Sequence, residues 1–135
     1  NHEFFSFDAR TGIINWTQSL NSSLSPTIIY NLIFTISNEG YLFIIDDRTG
    51  NILRITDILT NFKNRDNIKP IGFIHGRHKL FVSLNNGQII SLNSTTGEQQ
   101  KITKVHGSKV SRPYIFKNSM YLIKDNAVSK INWCF

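Results

Sequence analysis

Short apolar runs alternate with polar turns along the whole of this chain. Runs of this length, rich in Ile and Phe and bounded by Asn, Asp, Gly and Pro, predict strands rather than helices. They fall at 3–7 and 13–19, then at 26–30, 32–37, 41–45 and 51–58. A second set of four follows at 70–74, 79–84, 88–92 and 98–104, and a last set of three at 113–116, 119–123 and 127–131. The doublets Ile44-Ile45 and Ile89-Ile90 break strict alternation, which predicts strands buried on both faces. No stretch has the period of a helix.

The turns repeat. Asp8-Ala9-Arg10-Thr11-Gly12, Asp46-Asp47-Arg48-Thr49-Gly50 and Asn93-Ser94-Thr95-Thr96-Gly97 each join two strand-like runs, and their glycines are offset by 38 and 47 residues. Pro26, Pro70 and Pro113 keep a parallel spacing of 44 and 43, and Asn38-Glu39-Gly40 answers Asn86-Gly87. Strand-filled repeats of this period predict the radial blades of a β-propeller. The expected fold is therefore all-β, a propeller segment of about three and a half four-stranded antiparallel blades. Residues 1–20 supply two strands of a blade, 26–58 and 70–104 a full blade each, and 113–132 three strands of a last blade, all within one partial propeller over 1–135. Such an arc leaves open blade faces and unpaired edges, so the expectation is either a segment of a longer propeller or a chain that completes itself with other copies.

Composition agrees with strands. Of 135 residues twenty are Ile and two are Ala, and fifteen are Asn. β-branched side chains suit a pleated surface, Ala is the best helix former, and Asn tolerates the left-handed backbone of tight turns. The net charge is +6, but the Lys and Arg residues are scattered singly. A nucleic-acid footprint needs cations clustered on one element, so no nucleic-acid partner is expected. One cysteine, Cys134, allows no intrachain disulfide and no cysteine-based metal site. No apolar run reaches the ~18 residues of a membrane-spanning helix. Membrane attachment is expected only through an anchor that is not in this sequence.

Ser6-Phe7-Asp8-Ala9-Arg10-Thr11-Gly12-Ile13-Ile14-Asn15-Trp16 resembles the repeat of quinoprotein-type (PQQ-like) propellers: a small residue, an Asp two later, a Gly four after that and a Trp four further on. The Asp is suited to bond the turn amides, the Gly to supply positive φ, and the Trp to lie flat between neighbouring blades. Arg54 and Lys101 stand at the Trp position of the next two units. Downstream, Trp16-Thr17-Gln18-Ser19, Leu24-Ser25-Pro26, Tyr30-Asn31-Leu32 and Glu39-Gly40-Tyr41-Leu42 look like the C-terminal blades of the propeller lipoprotein, the B subunit, of the bacterial outer-membrane β-barrel assembly machinery. That resemblance implies an eight-bladed, non-catalytic scaffold, periplasmic and outer-membrane-associated. It implies as partner the periplasmic domains of the barrel-inserting subunit, and a missing outermost strand supplied by the N-terminal strand of the propeller.

The chemistry-bearing residues give little ground for an enzyme or a cofactor. A quinoprotein dehydrogenase fragment would need carboxylates around Ca²⁺ and usually a vicinal disulfide, which one cysteine cannot make. His75 and His78 are expected in a hairpin loop, without a third ligand nearby, and no metal site is assigned to them. His2 and His106 are isolated. No catalytic, cofactor-binding or metal residue is expected. The Phe residues of the strands, Phe4, Phe5, Phe34, Phe43, Phe73, Phe81 and Phe116, are expected in the core. The polar connection 60–69 is the candidate partner-binding segment, with Phe62 exposed as an apolar anchor among Lys63, Arg65 and Lys69. The alternative function is a PQQ-like propeller with a sensor or ligand-binding role.

Overall fold

The structure, a computed structural model, describes residues 2–105 and 109–132; His106 and Cys134 lie outside them. The described chain is a succession of antiparallel meanders. β1 (Glu3–Phe7) and β2 (Ile14–Ser19) form a first sheet. β3 (Thr27–Ile29), β4 (Leu32–Ile36), β5 (Tyr41–Asp46) and β6 (Ile52–Asp57) form a second, in sequence order. β7 (Pro70–Gly76), β8 (Lys79–Leu84), β9 (Gln88–Asn93) and β10 (Gln99–Lys104) form a third. β11 (Tyr114–Phe116), β12 (Ser119–Lys124) and β13 (Ala127–Ile131) form a fourth. The all-β expectation holds. Among the described residues the one helical element is a 3₁₀ turn at Arg65–Asn67, too short to leave a period in the sequence.

The chain divides into two compact units, residues 1–59 with the first two sheets and residues 60–135 with the other two. In the first unit, Phe4 and Trp16 of the first sheet pack against Ile33, Phe43, Ile45 and Ile52 of the second. In the second unit, Ile74, Phe81 and Ile89 of the third sheet pack against Ile115, Met120, Leu122 and Ile131 of the fourth, with Val105 and Val110 beside them. Burying a large apolar side chain in this way stabilises by roughly 1.5–3 kcal/mol each. Both faces of the central strands are covered: Ile44, Ile45, Ile89 and Ile90 are all buried, as the doublets predict.

Trp16 is the one repeat tryptophan, and it does what its position predicts. It lies against Gly50, where a Cβ would sit 2.5 Å from Trp16 Cδ2. Its Nε1 donates to the Asp47 carbonyl at 2.7 Å, and Gln18 Nε2 donates to the Gly50 carbonyl at 2.9 Å. The indole therefore buries its apolar ring and still satisfies its one donor.

Four expectations need correction. Phe5 and Phe116 are exposed rather than in the core, because each points from its strand to a sheet face that no sheet among the described residues covers. Ile58 belongs to a turn, not to the end of a strand; its amide donates to the Gly40 carbonyl at 3.0 Å while the side chains of Ile58 and Leu59 are buried. His75 is in β7, paired with Leu80, not in a loop; the hairpin turn is Arg77-His78, both left-handed at φ 46° and 63°. Phe62 is half-buried, not exposed.

Candidate partner-binding face

Each sheet has two kinds of end, and the backbone decides what each can offer. One end carries the Asp/Asn-to-Gly turns. Asp8 Oδ1 accepts the amides of Arg10 and Thr11 at 2.8 and 2.9 Å. Asp46 Oδ1 accepts those of Arg48 and Thr49 at 2.9 and 3.1 Å, and Asn93 Oδ1 those of Thr95 and Thr96 at 2.8 and 3.0 Å. In each turn the threonine hydroxyl then accepts the amide of the residue just before the next strand, Ile13, Asn51 or Glu98. Gly12, Gly50 and Gly97 close the turns at φ 75°, 75° and 77°. The bonds to backbone amides hold the Asp8 and Asp46 carboxyls below the usual carboxylate range. These side chains are occupied in holding their own backbone. A polar pocket of about 560 Å³ opens beside the second turn, lined by Asn31, Asp46, Asp47 and Arg48.

The other end carries the turns between second and third strands together with the connections between sheets. In the first unit the Asn38 amide donates to the Asn21 carbonyl at 2.9 Å, Asn38 Nδ2 donates to Asn21 Oδ1, and Ser23 Oγ donates to Asn38 Oδ1. In the second unit the Asn85 amide donates to the Lys69 carbonyl at 2.9 Å. Its side chain accepts the Lys69 amide and donates to the Asn67 carbonyl, both at 3.0 Å. The two asparagines thus tie a hairpin turn to the connection that enters its own sheet.

These bonds place the expected partner residues. Lys69 is fixed through its backbone and exposes its side chain; Lys63 is exposed, and Arg65, in the 3₁₀ turn, is half-buried. All four expected residues lie on this connection, but Phe62 is partly covered. Ile68 is buried beside them, and this anchor was missed because a single Ile inside a polar run carries no periodicity. Lys63 and Lys69 are the outward cations of the segment, beside the exposed Asn61, Asn64, Asp66 and Asn67.

The remaining candidates do not converge. His75 is half-buried, and burial together with neighbouring His78 lowers its pKa from the ordinary 6.5. Among the described residues no three His, Cys, Asp or Glu side chains are grouped so as to hold a metal ion.

No family model matches this chain, and no curated protein is significantly similar to it. Among solved structures it is similar to the crystal structure of BamB from Moraxella catarrhalis, with a TM-score of 0.71 at 19% identity, over 96% of this chain and 37% of that one. The chain therefore spans well under half the length of that relative. At that identity the likeness is one of fold: this chain is folded as a segment of a BamB-like β-propeller.

Proposed function

We propose that this chain is part of a non-catalytic protein-binding scaffold that serves outer-membrane β-barrel assembly, periplasmic and attached to the outer membrane through an anchor outside this sequence. In this reading all 135 residues form one partial propeller that needs no cofactor. The observation that carries it is the fold likeness to BamB over nearly the whole chain. The sequence resemblance points to the same family and implies the periplasmic domains of the barrel-inserting subunit as partner. Loops held on a rigid scaffold are where recognition usually sits. The connection with Phe62, Lys63, Arg65 and Lys69 is the assigned contact, with the exposed lysines meeting acidic groups of the partner and Phe62 as a partly covered anchor.

Isothermal titration of the chain against those purified periplasmic domains tests the reading. Saturable binding that weakens as salt is raised is expected, because contacts through exposed lysines are screened within about 10 Å at 0.1 M salt. No binding at low salt overturns it.

A further inference from the structure

The two compact units carry opposite charge. Residues 1–59 hold three Lys and Arg against six Asp and Glu, whereas residues 60–135 hold twelve against three, so the net +6 of the chain belongs to the second unit. The repeat shows where part of the change falls. Three positions frame the connection end of a four-stranded sheet: the residue before the proline, the middle of the turn between second and third strands, and the last residue of the fourth strand. In the second sheet these are Ser25, Glu39 and Asp57; in the third they are Lys69, Asn86 and Lys104. On the same backbone plan, one end carries two carboxylates and the other two cations.

Backbone bonds set the two lysines on either side of one turn. The Asn85 amide donates to the Lys69 carbonyl, and the amide of Val105, next to Lys104, donates to the Gly87 carbonyl, both at 2.9 Å. Lys69 enters the first strand of the sheet and Lys104 ends the fourth, so they stand three strand spacings apart, about 14 Å. Both side chains are exposed. Between them the surface is neutral: Asn85 is bonded to the connection, and Asn86 Nδ2 donates to Gln88 Oε1. The third sheet stacks on the fourth through a face, with Phe81 and Ile89 against Met120 and Leu122. The lysines lie at the strand ends, not on that face. Two separated cations suit the spaced carboxylates of a polypeptide. Exposed Asp66 and Asp125, at the same end of this unit, oppose a continuous anionic surface such as a headgroup plane or a duplex, whose charges are dense.

We propose that this scaffold takes an acidic polypeptide segment between Lys69 and Lys104 at the end of the third sheet. Glu39 and Asp57 turn the same segment away from the equivalent end of the second sheet by like-charge repulsion. This assignment rests on the proposed contact at 60–69 and adds Lys104 to it.

Titration of the chain with decaglutamate at low salt, followed by amide shifts in nuclear magnetic resonance, tests it without the periplasmic domains. Saturable shifts are expected at Lys69, Asn85 to Gly87 and Lys104, with none at Glu39 or Asp57. Lys104→Gln should weaken binding about threefold or more, as loss of an exposed ion pair does, and Lys104→Arg should keep it. The proposal is overturned by absence of binding, by shifts spread evenly to Arg10 and Arg48, by shifts centred on the second sheet, or by full affinity in Lys104→Gln. Tighter binding of anionic phospholipid vesicles or duplex DNA at the same amides also overturns it and assigns the end to that surface. Periplasmic domains that fail to bind would remove the proposed partner and leave the decaglutamate result standing.

Discussion

The two ends of the sheets solve the same problem, reversing the chain, with opposite uses of asparagine and aspartate. At one end Asp8, Asp46 and Asn93 each bond amides two and three residues ahead, inside their own turn. At the other end Asn38 and Asn85 reach residues 17 and 16 positions away, Asn21 and Lys69, on the connection that leads into their sheet. The first arrangement makes three closely similar, self-contained turns. The second makes long connections part of the scaffold, with Lys63 and Lys69 turned outward and Ile68 buried between the tie points. Both ends have a fixed backbone and exposed cations, Arg10 and Arg48 at the first and Lys63 and Lys69 at the second, and only the second carries them on a long connection.

The largest expected effect separates two turns that look alike. Gly12 and Gly50 share φ 75°, but a Cβ on Gly12 would meet open space while one on Gly50 would meet Trp16 at 2.5 Å. Gly12→Ala should cost only the left-handed penalty, ~1–2 kcal/mol. Gly50→Ala should cost a further ~1–3 kcal/mol of overpacking, because the indole is held by its bond to Asp47 and cannot step aside. Urea denaturation of the two variants measures the gap; equal costs would mean that Trp16 does not clamp this turn.

Next in size is Asn85→Ala, which removes two side-chain bonds to the connection. At ~0.5–1.5 kcal/mol each the loss should be ~1–3 kcal/mol, with faster hydrogen exchange of the Lys69 amide. Asn93→Ala also removes two bonds, but its exchange effect should stay within residues 93–98. Spread of either effect to the other end would erase the distinction drawn between them.

The smallest effect is one of pH. The Asp8 and Asp46 carboxyls titrate below the ordinary 3.8 in the folded chain. A lowered carboxyl pKa stabilises the fold above the unfolded value, and that contribution is lost as pH falls from about 4 through the folded value. Asp8→Asn with Asp46→Asn should flatten this acid limb while keeping the turns, as Asn93 already does in the third. An unchanged limb in thermal melts between pH 5 and about 2 would show that the turn carboxylates are not its source. His75 acts in the same direction in a higher window: its pKa lies below 6.5, so its neutral form is favoured and stability declines as pH falls below that value.

Much of the fold was legible because turns and strands are local. The three Asp/Asn-to-Gly motifs carry their own hydrogen bonds and fixed the strand order around them, and Trp16 announced the packing of the first two sheets. What the sequence hid was what depends on neighbours. Phe5 and Phe116 have the same character as Phe43 and Phe81, and only the presence or absence of a covering sheet separates core from surface. His75 extends β7 through pairing with Leu80, which no property of His-Gly-Arg-His predicts. In the candidate face, the lysines were legible as polar residues on a long connection. The ties from Asn85 and the buried Ile68 and Leu59 were not, because each depends on a residue distant in sequence.

The most direct test of the account compares the two ends for binding. Titration of the periplasmic domains of the barrel-inserting subunit with Lys63→Glu and Lys69→Glu changes exposed side chains at the end with fixed connections. Arg10→Glu with Arg48→Glu changes the same number of exposed cations at the other end. The account predicts loss of affinity of at least tenfold, about 1.4 kcal/mol, for the lysine pair and parent-like binding for the arginine pair. Full affinity in the lysine pair with loss in the arginine pair would contradict it and move the partner to the Asp-turn end.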